Sequence, residues 1–408
     1  MTRSDTRAAS LQASFLDMLH DAFQQFGVRG GLPPQLRRVV AATPRHRFVH
    51  RYRVGDGPLC DSGADPAQSL PEIYSDAVMR HVNAAGAPLP SSNSQPSYIL
   101  YLLHLLSLEP GQSVLEIGSG SGWLAAVMAR LVGPQGRVIG IELIPGLARQ
   151  SRADLAALKV ENVAIISGDG TNGHEAGAPY DRAIITAATW DVPASLFDQV
   201  AEGGLILVPI EQRGGHGCSV TVLRRQGAAL VAERAVPGWF VPLLGAGQDR
   251  ADVSVEEPPE QDATARFALP LGVPGAFAPT AAAMQFRAFL GRTEPGFVTC
   301  AQSGEDDWRP DTPLPPFGIR DGAALALWRA GEIVSYGDRR AASSLARAYA
   351  NWAALGLPGL SAFQVEIYRA EAAPPPTDRL WIERRGSTAL AWRLRPEVGN
   401  WQALNATE

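Results

Sequence analysis

SVLEIGSGSGW, residues 113–123, is the stretch of the sequence that decides the fold. It starts as a short apolar run typical of a buried strand, continues into three glycines at alternate positions, and precedes the helix-like run LAAVMARLV at 124–132. A glycine turn between a strand and a helix presents backbone N–H groups and the positive end of the helix dipole to a ligand. The stretch therefore predicts an α/β fold with a ligand site at this turn.

Further predicted elements continue the alternation of helices and strands. Helical runs are YILYLLHLLSL (98–108) and GLARQSRADLAALKV (146–160), and strand-like runs are RVIGIEL (137–143), NVAIISGDG (162–170), RAIITAA (182–188) and LILVPI (205–210). The strand-like runs lack strict polar alternation, which is typical of a parallel sheet covered on both faces. We therefore predict a Rossmann-like, doubly wound α/β domain. An amphipathic helix over residues 11–26 and a short helix over residues 36–42 precede it.

The chain is long enough for two domains, since 408 residues exceed the usual size of one domain, about 100–200 residues. Residues 246–265, AGQDRADVSVEEPPEQDATA, are acidic, contain prolines and lack periodicity, so they predict a linker. The first domain is then residues 1–245 and the second residues 266–408. For the second domain we predict a smaller mixed α+β fold, with helices at 281–290 and 343–355, a hairpin at 323–337 and strands at 363–370, 379–385 and 389–394.

Composition and charge disfavour several classes of function. Hydrophobic residues make up 46% of the chain and the formal net charge is -5, which is typical of a globular protein without a basic nucleic-acid-binding surface. Cys60, Cys218 and Cys300 are far apart and outside any C-x-x-C spacing, so the sequence predicts neither a disulfide framework nor a zinc site. The first residues lack an apolar signal-peptide core, and no segment reaches the roughly 18 apolar residues of a membrane span. We expect a cytoplasmic protein without metal, membrane or nucleic-acid partners.

The glycine spacing indicates which ligand the turn binds. The turn contains Gly118, Gly120 and Gly122, whereas the dinucleotide fingerprint G-x-G-x-x-G would need its third glycine at Trp123. A nicotinamide oxidoreductase is therefore disfavoured. Glu116, two residues before the first glycine, is typical of turns that bind S-adenosylmethionine, where a carboxylate favours the ammonium group of the cofactor.

Two further carboxylates follow predicted strands. Glu142 lies 20 residues after Gly122, at a position where a carboxylate accepts hydrogen bonds from both ribose hydroxyls. Asp169, followed by Gly170, ends the next strand and is placed to accept from the adenine amino group. Because the carboxyl ends of parallel strands lie at one edge of a sheet, these residues and Glu116 predict a single S-adenosylmethionine pocket.

Seven motifs make the sequence resemble the protein-L-isoaspartate (D-aspartate) O-methyltransferase family. They are PRHRFV (44–49), IYSD (73–76), SNSQP (92–96), VLEIGSGSGW (114–123), GDG (168–170), APYDRAIITAA (178–188) and GGLILVPI (203–210). Their order and spacing match the family across about residues 10–245. The first and third motifs are specific to it, whereas the glycine turn occurs in most class I methyltransferases. The resemblance implies methyl transfer from S-adenosylmethionine to an isoaspartyl or aspartyl carboxylate of a peptide or protein, which then forms a succinimide.

The resemblance also implies roles for the SNSQP motif. In the family this loop closes over the methyl donor and offers donors to the substrate carboxylate, which would make Ser92 and Ser94 catalytic and Asn93, Gln95 and Pro96 parts of a substrate loop. A carboxylate is already ionised at neutral pH, so the reaction needs positioning and no general base. Neutral hydroxyls suit this task, because a strong ion pair would stabilise the ground-state carboxylate. The alternative for Ser94 is an ordinary helix cap before Pro96.

The sequence departs from the family in two places. AAGAPLPS (84–91) replaces the usual glycine-rich approach to the loop, and a full second domain follows residue 245. Two-domain chains with SQPS in place of SQPY resemble a branch associated with ribosomally made, modified peptides. That resemblance implies a dedicated peptide-maturation enzyme as an alternative to isoaspartate repair. From a different class, a non-catalytic cofactor-binding or partner-binding module stays open.

Other chemistry-bearing residues are interpreted as structural. His46, His50 and His174 lack cysteine or carboxylate neighbours at metal-ligand spacing. Neither Ser92 nor Ser94 lies in a G-x-S-x-G elbow, so a serine hydrolase is disfavoured. The aromatic residues of the second domain have core spacing, which predicts packing in place of a stacking platform for bases. If that domain binds a peptide, an exposed strand edge is the expected means.

Overall fold

The computed structural model describes residues 3–213, 218–248, 253–268, 279–300, 315–329 and 332–395. The chain divides into two compact units. The first comprises Met1–Ile210, Ser219–Gly227 and Glu233–Gln248, and the second comprises Glu211–Cys218, Ala228–Ala232 and Asp249–Glu408. The predicted boundaries at 245 and 265 stay predictions.

The helices and strands up to residue 238 include the predicted alternation of helices and parallel strands over residues 96–211. They are α1 (Arg3–Gln25), α2 (Pro34–Ala41), β1 (Arg51–Arg53), β2 (Cys60–Asp61), α3 (Pro66–Ile73), β3 (Met79–Val82), β4 (Pro88–Asn93), α4 (Pro96–Leu106), β5 (Ser113–Ile117), α5 (Trp123–Val132), β6 (Arg137–Glu142), α6 (Pro145–Ala157), β7 (Val163–Ser167), β8 (Tyr180–Ile185), α7 (Leu196–Gln199), β9 (Val200–Glu211), β10 (Cys218–Gln226) and β11 (Ala229–Gly238).

A parallel sheet forms the centre of the first unit. Its strands lie in the order β9-β8-β5-β6-β7, and all four neighbouring pairs are parallel. Strand β5, which leads into the glycine turn, is buried at every position because strands lie on both sides of it and helices cover its faces. The predicted doubly wound α/β fold is confirmed. The carboxyl ends of β5, β6 and β7 carry the predicted ligand-binding residues to one edge.

Helix α1 packs on this unit through one apolar face, as its sequence spacing predicts. Phe15, Leu19 and Phe23 are buried at helical intervals. The helix ends before Gly27, which adopts a positive φ of 78° that suits glycine and stops the helix.

A small antiparallel sheet, missed by the sequence prediction, precedes the α/β sheet. Its strands lie in the order β2-β1-β3-β4. Strand β4 contains Ser91, Ser92 and Asn93, a stretch predicted to be part of a loop. The strands are only 2–6 residues long and contain arginine, proline and serine, so they lack the apolar alternation that marks a strand in sequence.

The second unit is described from its own residues. Its elements are β12 (Ser254–Val255), β13 (Ala265–Ala268), α8 (Pro279–Thr293), β14 (Phe297–Cys300), β15 (Phe317–Asp321), β16 (Ala324–Arg329), β17 (Glu332–Tyr336), α9 (Arg340–Ala354), β18 (Phe363–Arg369), β19 (Leu380–Arg384) and β20 (Thr388–Leu394). Six of them form a sheet in the order β12-β14-β15-β16-β17-β13, and β19, β20 and β18 are neighbours in another. The mixed α+β prediction agrees with these elements, including the antiparallel pair β16 and β17 in the predicted hairpin.

The segment predicted to be a linker contributes to this sheet. Ser254–Val255 pairs in parallel with β14, and Ala265, the last residue of the segment, begins strand β13, which pairs antiparallel with β17. Pairing of short strands depends on distant partners, which explains why an aperiodic, acidic sequence did not predict it. Residues 249–252 of this segment, and residues 269–278, 301–314, 330–331 and 396–408 of the predicted second domain, lie outside the described residues.

None of the helices in the described part of the chain has the length and apolar character required to cross a membrane.

Candidate functional site

The glycine turn between β5 and α5 is shaped by backbone conformation and by close contacts. Gly118 and Gly122 have φ values of 90° and 82°, which side-chain-bearing residues rarely adopt. A Cβ atom on Gly118 would lie 2.7 Å from the Thr186 hydroxyl oxygen, and one on Gly122 would lie 2.8 Å from Cβ of Ser151. Glycine is therefore required at both positions for the turn to form.

Glu116 is a buried carboxylate directly before this turn. Only 1% of the residue is exposed, and neither carboxylate oxygen has a hydrogen-bond partner of normal geometry among the described residues. Burial raises the pKa of Glu116 to about 7, with the nearby Ser119 hydroxyl opposing and Glu142 adding to this shift. A buried carboxylate without partners is costly, so Glu116 is suited to a cationic ligand group that would pair with it.

Glu142, at the end of β6, is fixed by two backbone donors. Its Oε2 accepts from Gly120 N–H at 2.7 Å, and its Oε1 accepts from Ile144 N–H at 2.8 Å. Burial raises the pKa of Glu142, and these two hydrogen bonds partly oppose the increase. The carboxylate thus connects the glycine turn to the next strand end, and each oxygen keeps further acceptor capacity for a ligand hydroxyl.

Asp169, which follows β7, is tied to a later segment of the chain. Its Oδ1 accepts from Thr171 N–H at 2.9 Å, and its Oδ2 accepts from Ala246 N–H at 2.9 Å. Partial burial alone would raise the pKa of Asp169, but the hydrogen bonds from Ala246 and Thr171 hold it below its ordinary value. Asp169 is therefore an ionised carboxylate beside Gly170 at the sheet edge.

A pocket opens at this edge of the sheet. Its lining combines strand ends, the small antiparallel sheet and the segment after β11: Pro90, Ser91, Ser92, Ile117, Gly118, Ile141, Glu142, Leu143, Ile144, Gly170, Thr186, Ala187, Val241, Pro242, Leu243 and Leu244. Of the predicted site residues, Ser92, Gly118, Glu142 and Gly170 line it. No lysine or arginine is among these lining residues.

The SNSQP motif consists of the end of a strand followed by the start of a helix. Asn93 ends β4, and its amide oxygen accepts from the Ser121 hydroxyl of the glycine turn at 2.6 Å. Gln95 occupies the N-cap position of α4 and Pro96 its first turn. Ser94 is therefore not the helix cap, and it is not among the pocket-lining residues. The catalytic roles of Ser92 and Ser94 stay predictions.

Two residues from the PRHRFV and IYSD motifs contact this stretch. Arg45 is 1% exposed, donates to the Ile73 carbonyl at 2.8 Å and to the Ser94 carbonyl at 3.4 Å, and lies 5.7 Å from the Trp123 ring centroid. Burial lowers the pKa of Arg45 to about 10, so its side chain is cationic at neutral pH. Asp76 accepts from the Gln95 side-chain amide at 2.7 Å. Their motifs were identified in sequence, but these contacts join positions 19 to 49 residues apart and were not predictable from spacing.

Sequence reasoning also missed a contact between His81 and Ser91. These residues lie on the paired strands β3 and β4, and His81 Nδ1 is 2.9 Å from Ser91 Oγ. The only sequence signal is a histidine one residue before the end of a short run that was not predicted to be a strand. Ser91 lines the pocket, so this contact belongs to the site.

The three histidines interpreted as structural from the sequence have contacts within the first unit. The imidazole of His46 lies 2.6 Å from the Tyr74 hydroxyl and that of His50 lies 2.9 Å from Asp154, whereas His174 donates its backbone N–H to the Gln199 side-chain oxygen at 2.7 Å. Within the described residues, no group of three or more histidine, cysteine or acidic side chains is placed to hold a metal ion.

Several aromatic residues of the second unit pack against each other. Trp352 is 1% exposed, and its ring centroid lies 5.2 Å from that of Phe286. Phe286 is likewise in edge contact with Tyr349 at 5.4 Å. These rings form core packing of the unit, as their helical spacing predicts.

Comparison with known proteins gives consistent sequence matches to one family. The family model described as Protein-L-isoaspartate(D-aspartate) O-methyltransferase (PCMT) matches residues 67–248. A protein-L-isoaspartate O-methyltransferase from Ignicoccus hospitalis is 38% identical over 177 residues, which cover 42% of this chain and 83% of that protein. Proteins of the same name from Methanoregula boonei and Methanococcus maripaludis are 36% and 42% identical, over 54% and 50% of this chain and 89% and 85% of theirs.

A solved structure shows the same fold. It is a protein-L-isoaspartate O-methyltransferase with a TM-score of 0.52 and 20% sequence identity. The alignment covers 87% of this chain and 96% of that one.

Proposed function

Because the chain belongs to the protein-L-isoaspartate(D-aspartate) O-methyltransferase family, we propose that it methylates the side-chain carboxylate of an isoaspartyl or aspartyl residue in a peptide or protein. The observation that carries this proposal is the pocket in which serine hydroxyls lie beside Gly118, Glu142 and Gly170. Neutral donors and positions predicted to bind the cofactor line one cavity, which supports methyl transfer to a carboxylate.

The residues of the pocket, together with Glu116 and Asp169 beside it in sequence, fit S-adenosylmethionine. When bound, this cofactor supplies an electrophilic methyl group on a sulfonium. Glu116, buried and without a partner of normal geometry, would pair with its ammonium group, and Glu142 would accept from its ribose hydroxyls. Asp169 and Gly170 would contact its adenine at the adjacent strand end. The two buried glutamates also complement the positive charge of the cofactor.

The chain's own residues would act by positioning the carboxylate. A substrate carboxylate is ionised at neutral pH, so no residue needs to remove a proton. Ser92 and Ser94 would hold one carboxylate oxygen in line with the methyl group, whose bond to sulfur breaks as the new oxygen–carbon bond forms. Since no arginine or lysine is among the pocket-lining residues, the carboxylate keeps its nucleophilicity.

The methyl ester would then allow ring closure. The neighbouring backbone nitrogen attacks the ester carbonyl, the carbon–methoxy bond breaks, and the amide proton leaves with methanol. The product is a succinimide. An ester loses methoxide more readily than a carboxylate loses oxide, so methylation is the step that makes this closure accessible.

The test is methyl transfer from labelled S-adenosylmethionine to two matched peptides that differ only in isoaspartate or aspartate, followed by mass spectrometry for ester and succinimide. Glu142→Ala serves as the control with impaired cofactor binding. Labelling of the isoaspartyl peptide alone supports repair, and labelling of the aspartyl peptide supports modification of ordinary aspartate. Labelling of neither, with tight S-adenosylhomocysteine binding, contradicts the proposal for general peptides and leaves a dedicated peptide substrate. Absence of S-adenosylhomocysteine binding contradicts the enzyme function as a whole.

A further inference from the structure

The contact between His81 and Ser91 places a third hydroxyl in the pocket. Strands β3 and β4 pair antiparallel with Met79 opposite Asn93 and Arg80 opposite Ser92. His81 follows on the same strand and its Nδ1 lies 2.9 Å from Ser91 Oγ. His81 is 5% exposed, whereas Ser91 is partly exposed and lines the pocket next to Ser92.

The surroundings of His81 favour one tautomer of its neutral imidazole. Burial lowers the pKa of His81 to about 4, with Asn93 opposing this shift and the Arg45 charge adding to it, so the imidazole is neutral at physiological pH. Its Nε2 is buried and has no hydrogen-bond partner of normal geometry among the described residues. An unpartnered buried N–H is rarer in proteins than an unpartnered acceptor, which favours the tautomer with hydrogen on Nδ1. In that tautomer His81 donates to Ser91 Oγ, and the Ser91 hydroxyl proton is free.

We propose that the Ser91 hydroxyl donates a hydrogen bond to the ionised substrate carboxylate, as a catalytic hydroxyl alongside Ser92, and that His81 is the positioning residue that orients it. This inference rests on the proposed function. Ser91 and His81 are adjacent on paired strands, and Asn93 at the end of the same strand accepts from Ser121 of the glycine turn. The Ser91 hydroxyl therefore lies on short paired strands that are hydrogen-bonded to the glycine turn. Because its position is already fixed, little side-chain freedom is lost when the substrate binds.

The experiment compares Ser91→Ala, His81→Phe and the double variant with wild type, using whichever peptide wild type methylates. Each variant is measured for kcat and KM with that peptide, for the Kd of S-adenosylhomocysteine and for Tm. Ser14→Ala, an exposed serine on α1, is the matched control. His81→Asn tests rescue, because its side-chain amide N–H can replace the imidazole Nδ1–H.

We expect Ser91→Ala to lower kcat/KM for the peptide about 10- to 100-fold, the range for one hydrogen bond to a charged group, with the S-adenosylhomocysteine Kd within about threefold of wild type. His81→Phe should cause a similar loss, and the double variant should lose no more than either single variant. His81→Asn should recover most of the activity. If His81→Phe does not fold, Ser91→Ala and His81→Asn still test the proposal.

Three results would overturn the inference in active protein. They are wild-type activity in Ser91→Ala, additive losses in the double variant, and a loss of S-adenosylhomocysteine affinity in Ser91→Ala as large as the loss of kcat/KM. Failure of the wild type to methylate either peptide is a different outcome, because it contradicts the proposed function for general peptides and, with it, the inference that Ser91 contacts their carboxylate.

Discussion

The Asp76 carboxylate holds the start of helix α4 through Ser97. Its Oδ1 accepts from Ser97 N–H at 2.8 Å and its Oδ2 accepts from the Ser97 hydroxyl at 2.6 Å. Gln95, the formal N-cap residue, makes no side-chain capping hydrogen bond and instead donates to Asp76. The Asp76 carboxylate thus caps the first turn of α4, and it fixes the direction of the backbone after Ser94.

Asp76→Ala should therefore impair turnover more than cofactor binding. We expect kcat to fall about 10- to 100-fold, because the three hydrogen bonds that orient the SNSQP motif are lost, while the Kd of S-adenosylhomocysteine changes less than about threefold. Steady-state kinetics with a methyl-accepting peptide and a cofactor titration measure the two effects.

The matched control for Asp76 is another capping carboxylate in the same unit. Asp65 caps α3 by accepting from Gln68 N–H at 3.0 Å, away from the pocket-lining residues. Asp65→Ala should cost about 0.5–2 kcal/mol of unfolding free energy without changing kcat. Equal kcat losses in the two variants would show that Asp76 acts only through stability.

Substitutions of Ser94 and Glu142 should have different effects on turnover and on cofactor affinity. Ser94→Ala should lower kcat about tenfold or more with nearly unchanged cofactor affinity, if its hydroxyl holds the substrate carboxylate. Glu142→Ala removes the acceptor of Gly120 and Ile144 N–H, so it should weaken cofactor binding first. Isothermal titration with S-adenosylhomocysteine and single-turnover methyl transfer distinguish the two. Unchanged turnover in Ser94→Ala would assign the hydroxyl role to Ser91 and Ser92 alone, the serines that line the pocket.

The α/β sheet was predictable from sequence because its signals are local. Each strand is a short apolar run, the glycine turn has its own spacing, and Glu116, Glu142 and Asp169 follow from their positions at strand ends. The direction of the chain at each strand end then places these carboxylates at one edge without knowledge of any tertiary contact.

The part of the site formed by the antiparallel strands β3 and β4 was not predictable, because its contacts leave no local signal in the sequence. Strands β3 and β4 have mixed composition, and the pairing of His81 with Ser91 depends on a register that includes an irregularity between Arg80 and Val82. The Asp76 contact with Ser97 likewise joins residues 21 positions apart. Such contacts depend on tertiary packing, which a single sequence does not encode as a local pattern.

Glu116 makes cofactor binding dependent on pH. In the free protein its pKa is raised to about 7 by burial, so the carboxyl is mostly protonated at pH 6 and mostly ionised at pH 8. Only the ionised form pairs with the ammonium group of the cofactor. The association constant for S-adenosylmethionine should therefore increase severalfold from pH 6 to about pH 7.5 in titration calorimetry, because the ionised fraction of Glu116 increases while most of the cofactor's amino group is still protonated.

The raised pKa of Glu116 also predicts how the free energy of unfolding depends on pH. An unfolded glutamate ionises near pH 4.5, below the folded value, so the contribution of Glu116 to the free energy of unfolding should fall as pH rises from about 4.5 to 7. Glu116→Gln should abolish this dependence and weaken cofactor binding at about pH 7.5 more than at pH 6. His50 is the control, because the hydrogen bond with Asp154 raises its pKa above the ordinary histidine value, while it lies outside the pocket lining. If His50→Gln, and not Glu116→Gln, removed the pH dependence of cofactor affinity, the titrating group would be His50, and Glu116 would not be the carboxylate that pairs with the cofactor.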